Sequence, residues 1–273
     1  MVERWQVTDW RSRRQLLDPD VFLNGSNPPP TDLVDPEIWN YLIHLADHVS
    51  ITTSNHHGMQ LKRLFLLERG WVEAIGDSRS FLGTAMVDVM DDFTASMFLL
   101  IHGFYRQSIS ALRSVLETTT VGAYLEVLGD EKCFEAWRAG QDIGFGRAAD
   151  LIRGVAPVAS YETTLRAATR DDLFSQRSQV SPGGWARRLY AHLCEYTHSR
   201  PGYTNSDLWR SNGPIYVQKN VNLVARLYAE TYALAMLIVR ITKGQAVAPG
   251  VPTGFESYRS KWAKFAHACY ACL

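Results

Sequence analysis

The sequence is short of cysteine and of long apolar runs. Its 273 residues include four cysteines, too few and too unevenly spaced for a disulfide framework in a chain of this length. The most apolar runs, residues 97–101 and 233–239, are far shorter than the ~20 residues that a membrane span needs. No apolar segment follows the first residues, so no secretory signal is expected. These absences together predict a protein of the reducing cytoplasm that makes no membrane contact.

Net charge is also absent. The chain has 28 Lys and Arg against 28 Asp and Glu, which excludes a broad cationic coat for nucleic acid or membranes but permits a local basic patch. Of the cations 22 are Arg and 6 are Lys. Arginine is the cation that makes bidentate contacts with carboxylates and phosphates. Codon bias would produce the same excess. The hydrophobic content of 46% and charged content of 21% are typical of a folded globular protein.

The spacing of apolar residues predicts an all-α fold. Helices are predicted at residues 3–17, 36–50, 79–103, 104–128, 130–154, 161–174, 184–199, 216–243 and 255–270. Stretches rich in proline and glycine divide the chain into an N-terminal arm with a linker (1–35), a helical bundle (36–245), and a linker with a C-terminal helix (246–273). Because no alternating strand pattern is found, a helical bundle of long antiparallel helices is expected.

One stripe of the helix predicted at 104–128 is polar. It carries Arg106, Arg113, Glu117 and Tyr124, at spacings of seven, four and seven. Such a stripe is either a solvated face with a structural ion pair between Arg113 and Glu117, or the wall of a buried polar site. The sequence leaves both interpretations open.

The helix predicted at 184–199 carries two histidines on different faces. At 100° per residue, one face holds Arg187, Tyr190, Ala191, Cys194 and His198, and another holds Arg188, His192, Glu195 and Ser199. Apolar residues between the two faces anchor the helix. At most one of the histidines should therefore face any given site.

These two helices carry a family resemblance. Residues 105–117 contain the run Leu-Arg-Ser-Val-Leu-Glu, and residues 190–198 read Tyr-Ala-His-Leu-Cys-Glu-Tyr-Thr-His. The pair resembles bacterial all-α proteins with an L-R-S-x-x-E helix and a Y-x-x-L-S/C-x-x-x-H helix, which are similar to the HEPN (higher eukaryotes and prokaryotes nucleotide-binding) superfamily. The resemblance covers about residues 80–245. Many members of that superfamily are metal-independent ribonucleases of toxin–antitoxin, phage-defence and CRISPR systems, and they usually act as dimers.

The resemblance also implies candidate catalytic residues. The superfamily signature is an Arg followed by a polar residue, with a His after four to six intervening residues. Arg187 and His192 have four residues between them. His198 ends the Y-x-x-L-S/C-x-x-x-H pattern that begins at Tyr190. A histidine can take the proton of a ribose 2′-hydroxyl, and an arginine can neutralise charge on the phosphate. The hypothesis is His198 or His192 as base and Arg187 or Arg113 as phosphate clamp, with Glu117 orienting one of them. No cofactor or metal is required, and the expected partners are a second copy, RNA and a neutralising protein.

Two other functions stay open. The same helices could form a non-catalytic module that dimerises or binds a partner protein, for which eight Trp and eleven Phe provide anchor side chains. A metal-binding bundle is the third possibility, because His44 and His48 lie four residues apart and Glu195 and His198 form a Glu-x-x-His unit. Neither motif has the further ligands that a metal site requires.

Overall fold

The structure, a computed structural model, describes residues 43–75, 80–179, 181–197, 213–244 and 261–273. Within these ranges the chain forms nine α-helices and no strand, which confirms the prediction of an all-α helical bundle. The helices are α1 Leu45–Ile75, α2 Phe81–Ile101, α3 Tyr105–Leu128, α4 Glu131–Arg138, α5 Phe145–Arg153, α6 Ala156–Thr169, α7 Trp185–Thr197, α8 Gln218–Lys243 and α9 Lys261–Ala271. The predicted N-terminal arm, both linkers and His198 lie outside the described residues.

The chain divides into two compact units, Met1–Ala46 and Asp47–Leu273. The second unit holds the bundle together with the C-terminal helix α9, whose Ala266 and Cys269 are buried in the common core. The hydroxyl of Tyr161 on α6 donates a hydrogen bond to the backbone oxygen of Cys269 at 2.6 Å. The last helix is therefore packed into the bundle.

The centre of the bundle is the antiparallel pair α2 and α3. Gly103, at φ +85°, makes the turn between them, and the hydroxyls of Ser96 and Ser108 lie 3.0 Å apart across the pair. Gly122 lets the two helices touch, because a Cβ built there would lie 2.5 Å from the Cβ of Ala85. This close contact fixes the position of α3, which carries the polar stripe.

Helix α8 packs against α3 and is the most buried helix of the described chain. Tyr228 and Tyr232 on α8 pack against Phe93, with ring centroids 5.1 and 5.7 Å away, and Trp71 lies 5.4 Å from the same ring. Among the described helices, α8 alone is long and apolar enough to cross a membrane, but 78% of its most apolar window is buried inside the bundle. This burial is compatible with the core helix of a soluble protein.

Three helices differ from their predicted bounds. The helix predicted at 161–174 lies five residues earlier, as α6 Ala156–Thr169, with a proline in its first turn and Arg170 at φ 62° ending it. The prediction ended a helix at residue 50, yet α1 continues to Ile75 through a polar stretch, since Leu64, Leu67 and Trp71 pack into the core. The single helix predicted at 130–154 is two helices, α4 and α5, because Gly140 at φ +98° ends the first. Tertiary packing thus extends α1, and Gly140 divides the helix predicted at 130–154.

Candidate functional site

Helix α7 lies between two groups of polar side chains. Leu189, Leu193 and Tyr196 are buried and anchor α7 in the bundle. On one side, Arg187 and Tyr190 point toward α3 and α5, and on the other side Arg188 and His192 line a cleft. The two sides offer different chemistry.

The first side is the α3–α7 polar cluster, defined as Arg113, Glu117 and Tyr190. Arg113 donates to the Tyr190 hydroxyl from Nε at 3.1 Å and Nη2 at 2.8 Å, and that hydroxyl donates to Glu117 Oε2 at 3.2 Å. Arg113 Nη2 also lies 3.2 Å from Glu117 Oε2. The backbone N–H of Phe145 donates to Glu117 Oε1, and its ring stacks on Tyr190 at 4.0 Å. The cluster thus joins α3, α5 and α7.

The surroundings of the cluster raise the pKa of two of its members, Tyr190 and Arg113. Burial raises the pKa of Tyr190 to about 12, although the hydrogen bond from Arg113 lowers it. Burial lowers the pKa of Arg113, but the contacts with Tyr190 and Glu117 raise it by more, so the net shift is upward. Burial also raises the pKa of the nearby Cys194 thiol. The guanidinium, the carboxyl group and the phenol hydroxyl of the cluster are one another's partners, which is the arrangement of a structural ion pair.

Arg187 joins the same side of α7 to its neighbours. Its Nε donates to the carbonyl of Phe174 at 2.7 Å, and its Nη2 donates to Asp150 and to the carbonyl of Gly146. The side chain is 18% exposed. Its donors therefore hold α5 and the segment before α7 in place.

The second side is the α7–α8–α9 cleft, with a volume of about 550 Å³. Three cationic, two acidic and three aromatic side chains line it, together with His192 and one leucine. The lining residues are Asp171, Trp185, Arg188, Leu189, His192, Arg226, Glu230, Lys261, Trp262 and Phe265. Helices α7, α8 and α9 all contribute to this lining.

Ion pairs and hydrogen bonds order the walls of the cleft. Arg188 makes a bidentate contact with Asp171, at 2.8 and 3.1 Å, and donates to the carbonyl of Gly183. The indole N–H of Trp185 donates to Glu230 Oε1 at 3.1 Å. Burial raises the pKa of Glu230, while the Trp185 hydrogen bond and the neighbouring cations partly lower it. A carboxyl and an indole are thereby fixed in the cleft.

His192 lines the cleft with a partly exposed ring. Its ring packs edge-on against Tyr196 with centroids 5.2 Å apart, and its Nδ1 lies 3.2 Å from Glu195 Oε2. The His192 side chain is 37% exposed. The carboxylate on Nδ1 leaves Nε2 as the nitrogen for proton exchange with a ligand.

The structure brings some of the predicted site residues together and separates others. Arg113 and Glu117 meet at the α3–α7 polar cluster, and Arg187 lies on the same side of α7. His192 lies across α7 from them, in the cleft. Whether His198 approaches Arg113 and Glu117 stays a prediction, since His198 lies outside the described residues.

Sequence reasoning missed Arg226, Glu230 and Lys261 as members of a site. A signal was present for Glu230, because it lies on the most buried helix, where a charged side chain is costly unless it has a partner or a role. Arg226, one turn before it, is exposed and carries no such signal. No signal marked Lys261, whose place in the cleft depends on how α9 packs on α8.

Metal ligands do not gather in the described part of the chain. No group of three or more His, Cys, Asp or Glu side chains is positioned there to hold a metal ion. His44 and His48 are both exposed. Comparison of the chain with protein-family models, with curated proteins and with solved structures found no match.

Proposed function

We propose that this protein binds single-stranded RNA in the α7–α8–α9 cleft and cleaves it without a metal ion, as a cytoplasmic HEPN-like effector of phage defence or stress. The observation that supports the proposal is an accessible histidine, His192, in one cleft with three cations and three aromatic rings. Cationic side chains bind the phosphodiester backbone, and aromatic rings stack on exposed bases. This combination suits an RNA strand better than a neutral or cationic ligand.

The proposed reaction is an internal transfer at phosphorus. His192 takes the proton of the 2′-hydroxyl, the 2′-oxygen attacks phosphorus, and the P–O5′ bond breaks to leave a 2′,3′-cyclic phosphate. The 5′-oxygen leaves as a hydroxyl by taking the carboxylic proton of Glu230, whose burial raises its pKa and favours the protonated form. His192 then returns its proton, and Glu230 regains one, through solvent.

The phosphate contacts in this proposal come from Arg226 and Lys261. The guanidinium groups of Arg187 and Arg113 already bind Asp150 and Glu117 across α7 from His192. Cations beside the phosphate offset the charge that builds on its non-bridging oxygens as the bond to O2′ forms. Arg226 and Lys261 therefore replace the predicted arginines as the clamp.

The test is cleavage of a fluorescent single-stranded RNA in the presence of EDTA. We expect the wild type to cut it and to leave a 2′,3′-cyclic phosphate, and a strand with 2′-deoxyribose at the cut site to stay intact. His192→Ala should lower the rate by about 10²-fold or more. His48→Ala is the matched control, since His48 is an exposed histidine of α1 that does not line the cleft. RNA left intact by concentrated wild type would overturn the proposal.

A non-catalytic interaction module is the second candidate, favoured by one observation. Helix α1 exposes several large apolar side chains that the bundle does not cover. A wild type that associates with itself and neither binds nor cuts RNA would select this function.

A further inference from the structure

The end of helix α9 carries two thiols, Cys269 and Cys272. They are three residues apart in a Cys-Tyr-Ala-Cys run, and both are free cysteines in the structure. Cys269 is completely buried in the core, whereas Cys272 is partly exposed. These two residues are the α9 thiol pair. The pair combines one thiol that a solute can reach with one that only its neighbours in the fold can reach.

Neighbouring helices hold the backbone of this turn in place. The hydroxyl of Tyr161 on α6 donates a hydrogen bond to the backbone oxygen of Cys269 at 2.6 Å. Tyr270, which lies between the two cysteines, donates from its hydroxyl to the backbone oxygen of Ala233 on α8 at 2.8 Å. The turn is therefore fixed to both α6 and α8.

The backbone brings the two thiols within reach of one another. The N–H of Cys272 donates to the carbonyl oxygen of Cys269 at 3.2 Å, which is the i to i+3 hydrogen bond of a 3₁₀ turn. Side chains three residues apart in such a turn lie on the same side, and their Cα atoms are about 5–6 Å apart. A disulfide requires a Cα separation of roughly 4.4–6.8 Å. The α9 thiol pair can therefore form a disulfide without a movement of the helix.

We propose that the α9 thiol pair is a reversible disulfide site, and that its substrate is a small disulfide such as oxidised glutathione. Disulfides that form in a reducing compartment are usually transient or redox-sensing. The proposal does not rest on the ribonuclease function, because the reaction requires only the two thiols and the small disulfide.

The two thiols react in a fixed order. Burial raises the pKa of Cys269 to about 12, although a hydrogen bond with Tyr161 lowers it, so Cys272 attacks first. The sulfur of Cys272 bonds to one sulfur of the glutathione disulfide, and the other glutathione leaves as a thiolate. The thiolate of Cys269 then bonds to the Cys272 sulfur, and the second glutathione leaves. The two protein thiols lose two electrons and two protons, and the two glutathione molecules gain them. The high effective concentration of a neighbouring thiol offsets the raised pKa of Cys269 in the second step.

The position of the pair at the end of a helix favours the disulfide over the two thiols. At a helix N-terminus the helix dipole stabilises a thiolate and so favours the reduced pair. The α9 thiol pair lies at a C-terminus, where the dipole gives no such stabilisation. A pair whose reduced form is not stabilised stays oxidised under more reducing conditions.

The α9 thiol pair also adjoins the α7–α8–α9 cleft. Phe265, which lines the cleft, lies one turn before Cys269 and two turns before Cys272 on the same side of α9. The charges of Asp171 and Arg188, which pair in the wall of the cleft, act on the pKa of Cys269 in opposite directions. The proposed redox change therefore takes place beside the cleft wall.

Mass spectrometry on the intact chain tests the proposal. The native protein is incubated for several hours with excess oxidised glutathione, acidified, alkylated with N-ethylmaleimide and digested with trypsin, which releases residues 265–273 with both thiols. We expect this peptide to carry no label and to be lighter by two hydrogen atoms than the reduced peptide, and dithiothreitol should restore both labels. Cys133→Ser is the matched control, since Cys133 is an exposed thiol of α4 and its loss should leave the disulfide intact.

Cys269→Ala separates the two steps of the reaction. This variant should stop at a glutathione adduct on Cys272, at least about tenfold more abundant than in wild type, because no second thiol displaces the glutathione. If Cys269→Ala fails to fold, Cys272→Ser provides the test, because Cys272 is partly exposed and its loss should leave Cys269 an unmodified thiol. A wild-type peptide that keeps both thiols, stops at the adduct, or pairs with Cys133 or Cys194 would overturn the proposal.

Discussion

Removing one hydroxyl from the α3–α7 polar cluster tests whether the cluster stabilises the fold or forms the wall of a catalytic site. Tyr190→Phe deletes the oxygen that accepts from Arg113 at 2.8 Å and donates to Glu117 at 3.2 Å, and keeps the ring that stacks on Phe145. A hydrogen bond to a charged group is worth ~1.5–3 kcal/mol. Arg113 and Glu117 keep their direct contact, and their side chains are 32% and 28% exposed, so water replaces part of what is lost. We expect a loss of about 1–2 kcal/mol in the free energy of unfolding.

Urea denaturation at pH 7, followed by far-UV circular dichroism, provides the measurement. Tyr124→Phe is the control, because Tyr124 lies on the same stripe of α3 outside the cluster, and its change should stay within about 0.5 kcal/mol. RNA cleavage by Tyr190→Phe should stay near the wild-type rate. If Tyr190→Phe is as stable as wild type but loses cleavage, the cluster is the wall of a site and the structural interpretation is wrong.

Three further predictions concern packing and charge. Gly122→Ala should lower the free energy of unfolding by about 1–3 kcal/mol in a thermal melt, because the new Cβ would collide with Ala85. Gly58→Ala should instead raise it by about 0.5–1 kcal/mol, because the position is open and alanine favours the helix. Equal effects of the two substitutions would contradict the contact of α2 with α3. Burial raises the pKa of Glu68, whose carboxyl group accepts a hydrogen bond from Tyr228. Wild-type stability should therefore fall as the pH rises from the ordinary pKa of glutamate through the raised pKa of Glu68. Urea titrations at several pH values should show a smaller fall for Glu68→Gln. Arg187→Ala should lower stability by about 2 kcal/mol and spare cleavage; a stable variant with no cleavage would place the chemistry on that side of α7.

The sequence was sufficient to predict the all-α fold and the two faces of α7. The three-and-four spacing of apolar residues located α3 and α8 to within about two residues, and the 100° rotation per residue separated Tyr190 from His192. It could not show that Arg113 binds Tyr190, because the two residues are 77 positions apart and only tertiary packing brings them together. The cleft was beyond prediction for the same reason, since Lys261 and Trp262 reach it through the packing of α9.

Helix α1 shows the limit of local patterns. Its polar run of Thr, Ser, Asn and His, with Gly58 inside it, favours an end near residue 50. The burial of Leu64 and Trp71 outweighs that weak preference and carries the helix to Ile75. The continued helix places Phe65 and Val72 on its exposed side, which becomes clear only once the helix is known to extend past residue 50.

The ratio of RNA cleavage rates of two histidine variants tests the proposed site most directly. Single-turnover rates of His192→Ala and His198→Ala are compared with wild type on the same RNA in EDTA. If the cleft is the catalytic site, His192→Ala should fall to about 1% of wild type or less, and His198→Ala should stay within about threefold. The reverse order would make His198 and not His192 the catalytic histidine, and wild type that leaves RNA intact would remove the ribonuclease function altogether.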